Sequence, residues 1–255
     1  MVHRMRPIDP IRQMNSSRIF LSPLAGVSDV PFRLMARKYG CRYAFTEMID
    51  VNGIVYDNKK TIKMLDVPVP DGPIGVQIAG SDEEKILCAA RFCRAKGFEL
   101  LELNAGCPVR KVVKAGKGAA LLKDPEKLER ICGKLVKALD IPVTVKLRSG
   151  WDERTVNCVE ISRALEGAGV SAVAIHPRTQ KDMFKGKADH SVTAKVKKAV
   201  SIPVYASGDI LSASDILETI RRTGCDAVAI ARGAFGTPWI FEDTYRYLDG
   251  KTGAR

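Results

Sequence analysis

Eight short apolar and β-branched runs recur along the chain: Ile19–Leu21, Tyr43–Thr46, Ile74–Ile78, Leu100–Leu103, Val143–Leu147, Ala172–Ile175, Val204–Ala206 and Ala227–Ile230. Runs of this length, apolar at consecutive positions, predict strands buried on both faces. Between them lie stretches with helical spacing, clearest over Glu83–Lys96, Pro125–Ala138, Arg154–Gly167, Ser191–Val200 and Ala213–Arg222. Asp124-Pro125, and Ser212 with Asp215 three residues on, read as helix starts. Gly224 reads as a helix stop. Strand–helix alternation implies parallel strands with right-handed crossovers. Eight such units predict an α/β fold, a single-domain TIM (β/α)8 barrel over residues 18–248. An open doubly wound sheet is the alternative, disfavoured because no Gly-x-Gly-x-x-Gly turn follows an early strand. Residues 1–17 read as an irregular leader. Residues 51–73 read as a long connection around a helix at Asn58–Leu65.

The length of 255 residues suits one barrel of ~250 residues. No apolar run reaches the ~18–20 residues of a membrane span, so no membrane association is expected. The seven cysteines include no Cys-x-x-Cys pair, and most sit in apolar patterns as small core residues. That usage predicts a reducing, cytoplasmic setting and no metal site. The net charge of +12 suits a phosphate-rich partner. Charge alone fits a basic protein without such a partner equally well.

Active sites of α/β barrels lie at the carboxyl ends of the strands. Nearly every predicted strand here delivers a polar or cationic group to that rim. Ser207, Gly208 and Asp209 after the seventh strand, and Ala231, Arg232 and Gly233 after the eighth, have the chemistry of a phosphate cup. Small residues let backbone N–H groups approach an anion, and arginine adds a charge-assisted bond. Either loop alone could be an ordinary turn. Lys146 interrupts an apolar strand and needs an anion or a polar ligand atom, the alternative being a barrel salt bridge to Glu102 or Glu47. Gln77 suits a heterocycle edge or a structural role. His176 is equally a ligand contact or a satisfied core histidine. Cys107, in a Gly-Cys-Pro turn, could be a nucleophile, a proton donor or an inert loop thiol. No Ser–His–Asp arrangement is visible. Together these residues predict a barrel that binds a phosphorylated ligand beside a rim thiol, without naming the reaction.

Several segments resemble the tRNA-dihydrouridine synthase family. They are the stretch Leu21-Ser22-Pro23-Leu24-Ala25-Gly26, Val76-Gln77-Ile78-Ala79-Gly80, Glu102-Leu103-Asn104-Ala105-Gly106-Cys107-Pro108, Lys146-Leu147-Arg148-Ser149-Gly150-Trp151, His176-Pro177-Arg178-Thr179, Ser207-Gly208-Asp209-Ile210 and Ala231-Arg232-Gly233-Ala234. The resemblance implies FMN-dependent reduction of uridine in tRNA, with NADPH as reductant. It implies hydride delivery from the flavin to uracil C6 and protonation of C5 by Cys107. Pro23, Leu24 and Ala25 would line the flavin, Gln77 and Lys146 would bond its ring edge, and His176 would face it. Ser207, Gly208, Asp209, Ala231 and Arg232 would hold its phosphate, and Asn104 and Arg178 would contact the substrate base. Arg110, Lys111, Lys114, Lys117, Lys181, Lys185 and Lys187 are candidates for meeting tRNA phosphates. The resemblance also implies a short form, without the helical tRNA-binding domain that usually follows the barrel. The competing functions are reduction of a small free pyrimidine and non-catalytic tRNA binding.

Overall fold

All eight apolar runs are strands in the computed structural model, which describes residues 9–250. The strands are β1 (Ile19–Leu21), β2 (Ala44–Asp50), β3 (Ile74–Ala79), β4 (Leu101–Ala105), β5 (Val143–Gly150), β6 (Ala172–Thr179), β7 (Val204–Ala206) and β8 (Ala227–Ile230). They pair in parallel in chain order, and β1 pairs back onto β8 through Ile19–Val228, Phe20–Ala229 and Leu21–Ile230. The sheet is therefore a closed barrel. Eleven α-helices occur among the described residues: α1 (Pro10–Ser17), α2 (Val30–Lys38), α3 (Val51–Val55), α4 (Lys59–Lys63), α5 (Glu83–Ala95), α6 (Arg110–Lys114), α7 (Pro125–Ala138), α8 (Cys158–Gly167), α9 (His190–Ala199), α10 (Ala213–Thr223) and α11 (Ile240–Leu248). None is long and apolar enough to cross a membrane.

Strand alternation sorts the core into layers. Ile19, Leu21, Val228 and Ile230 face outward against the helices. Phe20, Phe45 and Tyr205 face into the barrel, with ring centroids 5.2–5.7 Å apart. This packed interior leaves no pore, so a ligand can enter only at the rim.

Three expectations change. The reading of residues 1–17 as irregular is corrected at Pro10–Ser17, which form α1; residues 1–8 lie outside the described residues. Asp9 caps this helix through Ile11 N at 2.9 Å, and Pro10 supplies the preset first turn. Met14 is fully buried with Phe20, Tyr43 and Tyr205, so α1 closes the amino-terminal floor of the barrel. The helix expected from Arg154 begins instead at Cys158. Asp152 holds Thr155 by backbone and side-chain bonds in a turn before it. The connection over residues 51–73 carries α3 and α4 and is anchored by a buried ion pair, Arg33–Asp71 at 2.7 Å.

The expected start of α10 is observed, with Ser212 Oγ accepting from Asp215 N at 3.2 Å. Ser212→Ala is expected to cost about 1 kcal/mol. Thermal unfolding should show Tm lowered by roughly 2–4 °C.

Candidate functional site

At the carboxyl ends of the strands lies a cavity of about 340 Å³, within the usual range for small-molecule sites. Of the residues predicted for the site, all but Arg178 line it: Pro23, Leu24, Ala25, Gln77, Asn104, Cys107, Lys146, His176, Ser207, Gly208, Asp209, Ala231 and Arg232.

One wall is a hydrogen-bonded relay. Buried Glu102 accepts from Gln77 Nε2 at 2.7 Å, and Gln77 Oε1 accepts from Asn104 Nδ2 at 2.8 Å. Asn104 Oδ1 accepts from the backbone N–H of Gly106 and of Cys107, at 3.1 and 2.8 Å. Strand register sets up this chain, since Gln77 lies opposite Glu102 and Asn104 opposite Lys146. The relay fixes both amide orientations and holds the turn carrying Cys107. Each amide keeps one N–H that the relay does not use.

Lys146 donates to Ser22 Oγ at 2.7 Å. Neither anticipated carboxylate touches it. Glu102 acts on it through charge, and Glu47 accepts from Gly26 N, bracing the loop after β1. Burial pushes Lys146 down, opposed by the Glu102 charge, and pushes Glu102 up, opposed by Lys146. Burial raises the Cys107 thiol, against a bond from the Val109 backbone and the charge of Arg148. The thiol is therefore held protonated. Burial, then the surrounding cations, depress His176 far below its usual range. Its ring is neutral at physiological pH.

The cup is built by two loops. Gly208 and Asp209 have φ of 105° and 53°, and among the described residues their N–H groups have no acceptor. A Cβ at Gly208 would sit 3.0 Å from the His176 ring, so glycine permits this close approach. The Ser207 N–H is engaged by Ile175 O at 2.9 Å, leaving its hydroxyl for a ligand. Arg232 lies 3.7 Å from Asp209 Oδ1 and offsets that negative charge. Adjacent free N–H groups, glycine-dependent access and a cation together fit a phosphorylated group.

Arg178 is placed behind the wall rather than in it. It is 4% exposed, and it donates to Asp209 Oδ2, Lys185 O and Gly186 O. Its guanidinium is turned toward the loop at 185–188. Lys117 leaves the candidate surface set. It is buried and bonds both carboxylate oxygens of Asp50 at 2.7 Å. Arg110, Lys111, Lys114, Lys185 and Lys187 are exposed, and Lys181 pairs with Asp152.

Arg148, legible from the sequence only as a rim cation near Cys107, has a larger structural part, and Phe184 was not singled out. Arg148 is buried and donates to Gly106 O, Thr179 O and Met183 O, tying the Cys107 turn to the loop after β6. Phe184 in that loop is half-exposed, with the Arg148 and Arg232 guanidiniums 5.4 and 5.5 Å from its ring centre. A single aromatic among lysines was the available signal. Among the described residues no cluster suited to a metal ion is found.

A closed parallel barrel with an anion cup, buried cations and a protonated thiol on one rim cavity has the make-up of a barrel enzyme whose site suits a phosphorylated ligand. The family model described as Dihydrouridine synthase (Dus) matches residues 20–254, and the chain belongs to this oxidoreductase family. It is 40% identical over 236 residues to tRNA-dihydrouridine synthase B of Vibrio vulnificus (strain CMCP6), covering 92% of this chain and 73% of that protein. It is 39% identical over 231 residues to tRNA-dihydrouridine synthase B of Xanthomonas campestris pv. campestris, covering 91% and 70%. Among solved structures, histamine dehydrogenase from Rhizobium sp. 4-9 shares the fold, with a TM-score of 0.67 at 14% identity over 92% of this chain and 46% of that one.

Proposed function

We propose that this chain is an FMN-dependent reductase of uridine in tRNA to dihydrouridine, with NADPH as electron donor and Cys107 as proton donor. The observation that carries the reading is the convergence of a protonated thiol, buried Lys146 and a two-loop anion cup on one cavity. When bound, the flavin supplies the hydride chemistry. The chain supplies position and protons. Gly208 and Asp209 N–H groups, the Ser207 hydroxyl, Ala231 and Arg232 would hold the phosphate. Pro23, Leu24 and Ala25 form the wall of the loop after β1, and His176 forms another. Lys146 and the free N–H of Gln77 would donate to the ring edge. Asn104 offers its remaining N–H to the substrate base.

Cys107 gives its thiol proton to uracil C5 and is reprotonated from solvent. The uracil must leave its stack to reach the cavity. Exposed Arg110, Lys111, Lys114, Lys185 and Lys187 suit the phosphates around it. A reducing, cytoplasmic setting suits seven free cysteines.

The test is the visible spectrum of the purified chain after FMN is added and the excess removed, followed by NADPH oxidation with tRNA. A bound oxidised-flavin spectrum and tRNA-dependent turnover are expected. A colourless protein after reconstitution overturns the cofactor assignment. Turnover of free uracil but not of tRNA overturns the substrate.

A further inference from the structure

The Arg178 guanidinium makes one contact whose chemistry admits a single assignment. Its Nη1 lies 3.2 Å from His176 Nε2. Arginine carries donors only and stays protonated. His176 Nε2 must therefore present its lone pair, which leaves the ring proton on Nδ1. We propose that Arg178 is a positioning residue that fixes His176 in the Nδ1–H form, so that the ring offers the cavity a donor and never an acceptor.

The surroundings make this arrangement rigid. Arg178 is held by Lys185 O at 3.0 Å, Gly186 O at 2.7 Å and Asp209 Oδ2 at 2.8 Å. Asp209 Oδ2 is itself pinned by Ala188 N at 2.7 Å. The absence of a Cβ at Gly208 lets the Nε2 edge of His176 pack against the loop after β7. His176 Nδ1 has no protein partner among the described residues and is not sealed from solvent, and the residue lines the cavity. Burial and the charges of Arg148, Lys146, Arg178 and Arg232 all oppose a second ring proton.

His190 supplies the contrast. Its Nε2 lies 2.9 Å from Gly208 O. A carbonyl only accepts, so here Nε2 carries the proton. Two histidines on either side of Gly208 thus hold opposite tautomers. A ligand facing His176 must bring an acceptor oxygen or nitrogen. That this acceptor belongs to a bound flavin phosphate or ring rests on the function proposed above; the tautomer does not.

The experiment is long-range ¹H–¹⁵N correlation on the full chain labelled with ¹⁵N-histidine, assigned with His176→Gln and His190→Gln. The expected patterns are Nδ1–H for His176 and Nε2–H for His190. His176 found as Nε2–H, or as imidazolium at neutral pH, overturns the proposal, and this reading needs no folded Arg178 variant. In Arg178→Met, His176 should revert to the Nε2–H form that free imidazole side chains prefer, with His190 unchanged. Retention of Nδ1–H there removes the role of Arg178. Riboflavin 5′-phosphate added to the wild-type chain should move the His176 Nδ1 signal and leave His190 in place. An unmoved Nδ1 signal in a yellow protein overturns the donor role. A colourless protein with Nδ1–H at His176 refutes the flavin reading and leaves the tautomer standing.

Discussion

Cys107→Ala should lower tRNA-dependent turnover by about 10²–10⁴-fold, the usual worth of a positioned general acid, while flavin and tRNA binding persist. The separation follows from how the turn is held. Asn104 grips the backbone N–H groups of Gly106 and Cys107, and Arg148 grips Gly106 O. Loss of the Sγ atom leaves all three contacts intact. The pH dependence has a definite sign. Burial raises the thiol pKa, and the active form is the protonated one. Turnover limited by this step therefore holds through neutral pH and falls as pH rises through a value above the ordinary cysteine pKa of ~8.5. Single-turnover assays across pH check both statements. Wild-type turnover in the alanine variant would place the acid elsewhere.

Lys146→Met should weaken FMN binding by roughly 100-fold, equivalent to about 3 kcal/mol, the upper end of what a hydrogen bond from a charged group contributes. The variant removes the donor to Ser22 Oγ and the cation that balances Glu102. Glu102 is fully enclosed, so it takes up a proton instead of remaining an isolated anion. A protonated Glu102 can no longer accept from Gln77 with full strength, and the disturbance passes along the relay to Asn104. Flavin-fluorescence titration reads the affinity, and circular dichroism confirms that the barrel is retained. Unchanged affinity would refute a ligand-facing role for Lys146.

The barrel was legible because the strand cores are mainly apolar or β-branched runs, interrupted only at residues such as Gln77, Glu102 and Lys146, as burial on both faces demands. The strand ends were less legible. β5 continues through Arg148, Ser149 and Gly150, and β6 through His176, Pro177, Arg178 and Thr179. Ladder pairing and the cavity stabilise these polar positions, so hydrophobicity does not mark them. α1 was missed because its sequence is polar except for Ile11 and Met14. Its one local sign is Asp9-Pro10, the same start that was read at Asp124-Pro125. The wall residues were named singly from their places after each strand. Their relay was not visible, since it depends on the register that sets Gln77 against Glu102. Lys117 shows the same limit for charge. Residue type suggested exposure, and a partner 67 positions away decided otherwise.

Barrel closure through β1 and β8 also orders events during synthesis. Residues Ile19–Leu21 are made early but obtain their β8 partners only once Val228–Ile230 have left the ribosome. Until then β1 has an open edge, and α1 lacks the β8 half of the surface it covers. The two loops of the anion cup lie after β7 and β8, so they are the last part of the cavity to be translated. A nascent chain therefore carries its thiol turn, Lys146 and His176 well before it can retain a phosphate. Cofactor capture marks the end of barrel assembly, and chains arrested before residue 231 should emerge without it.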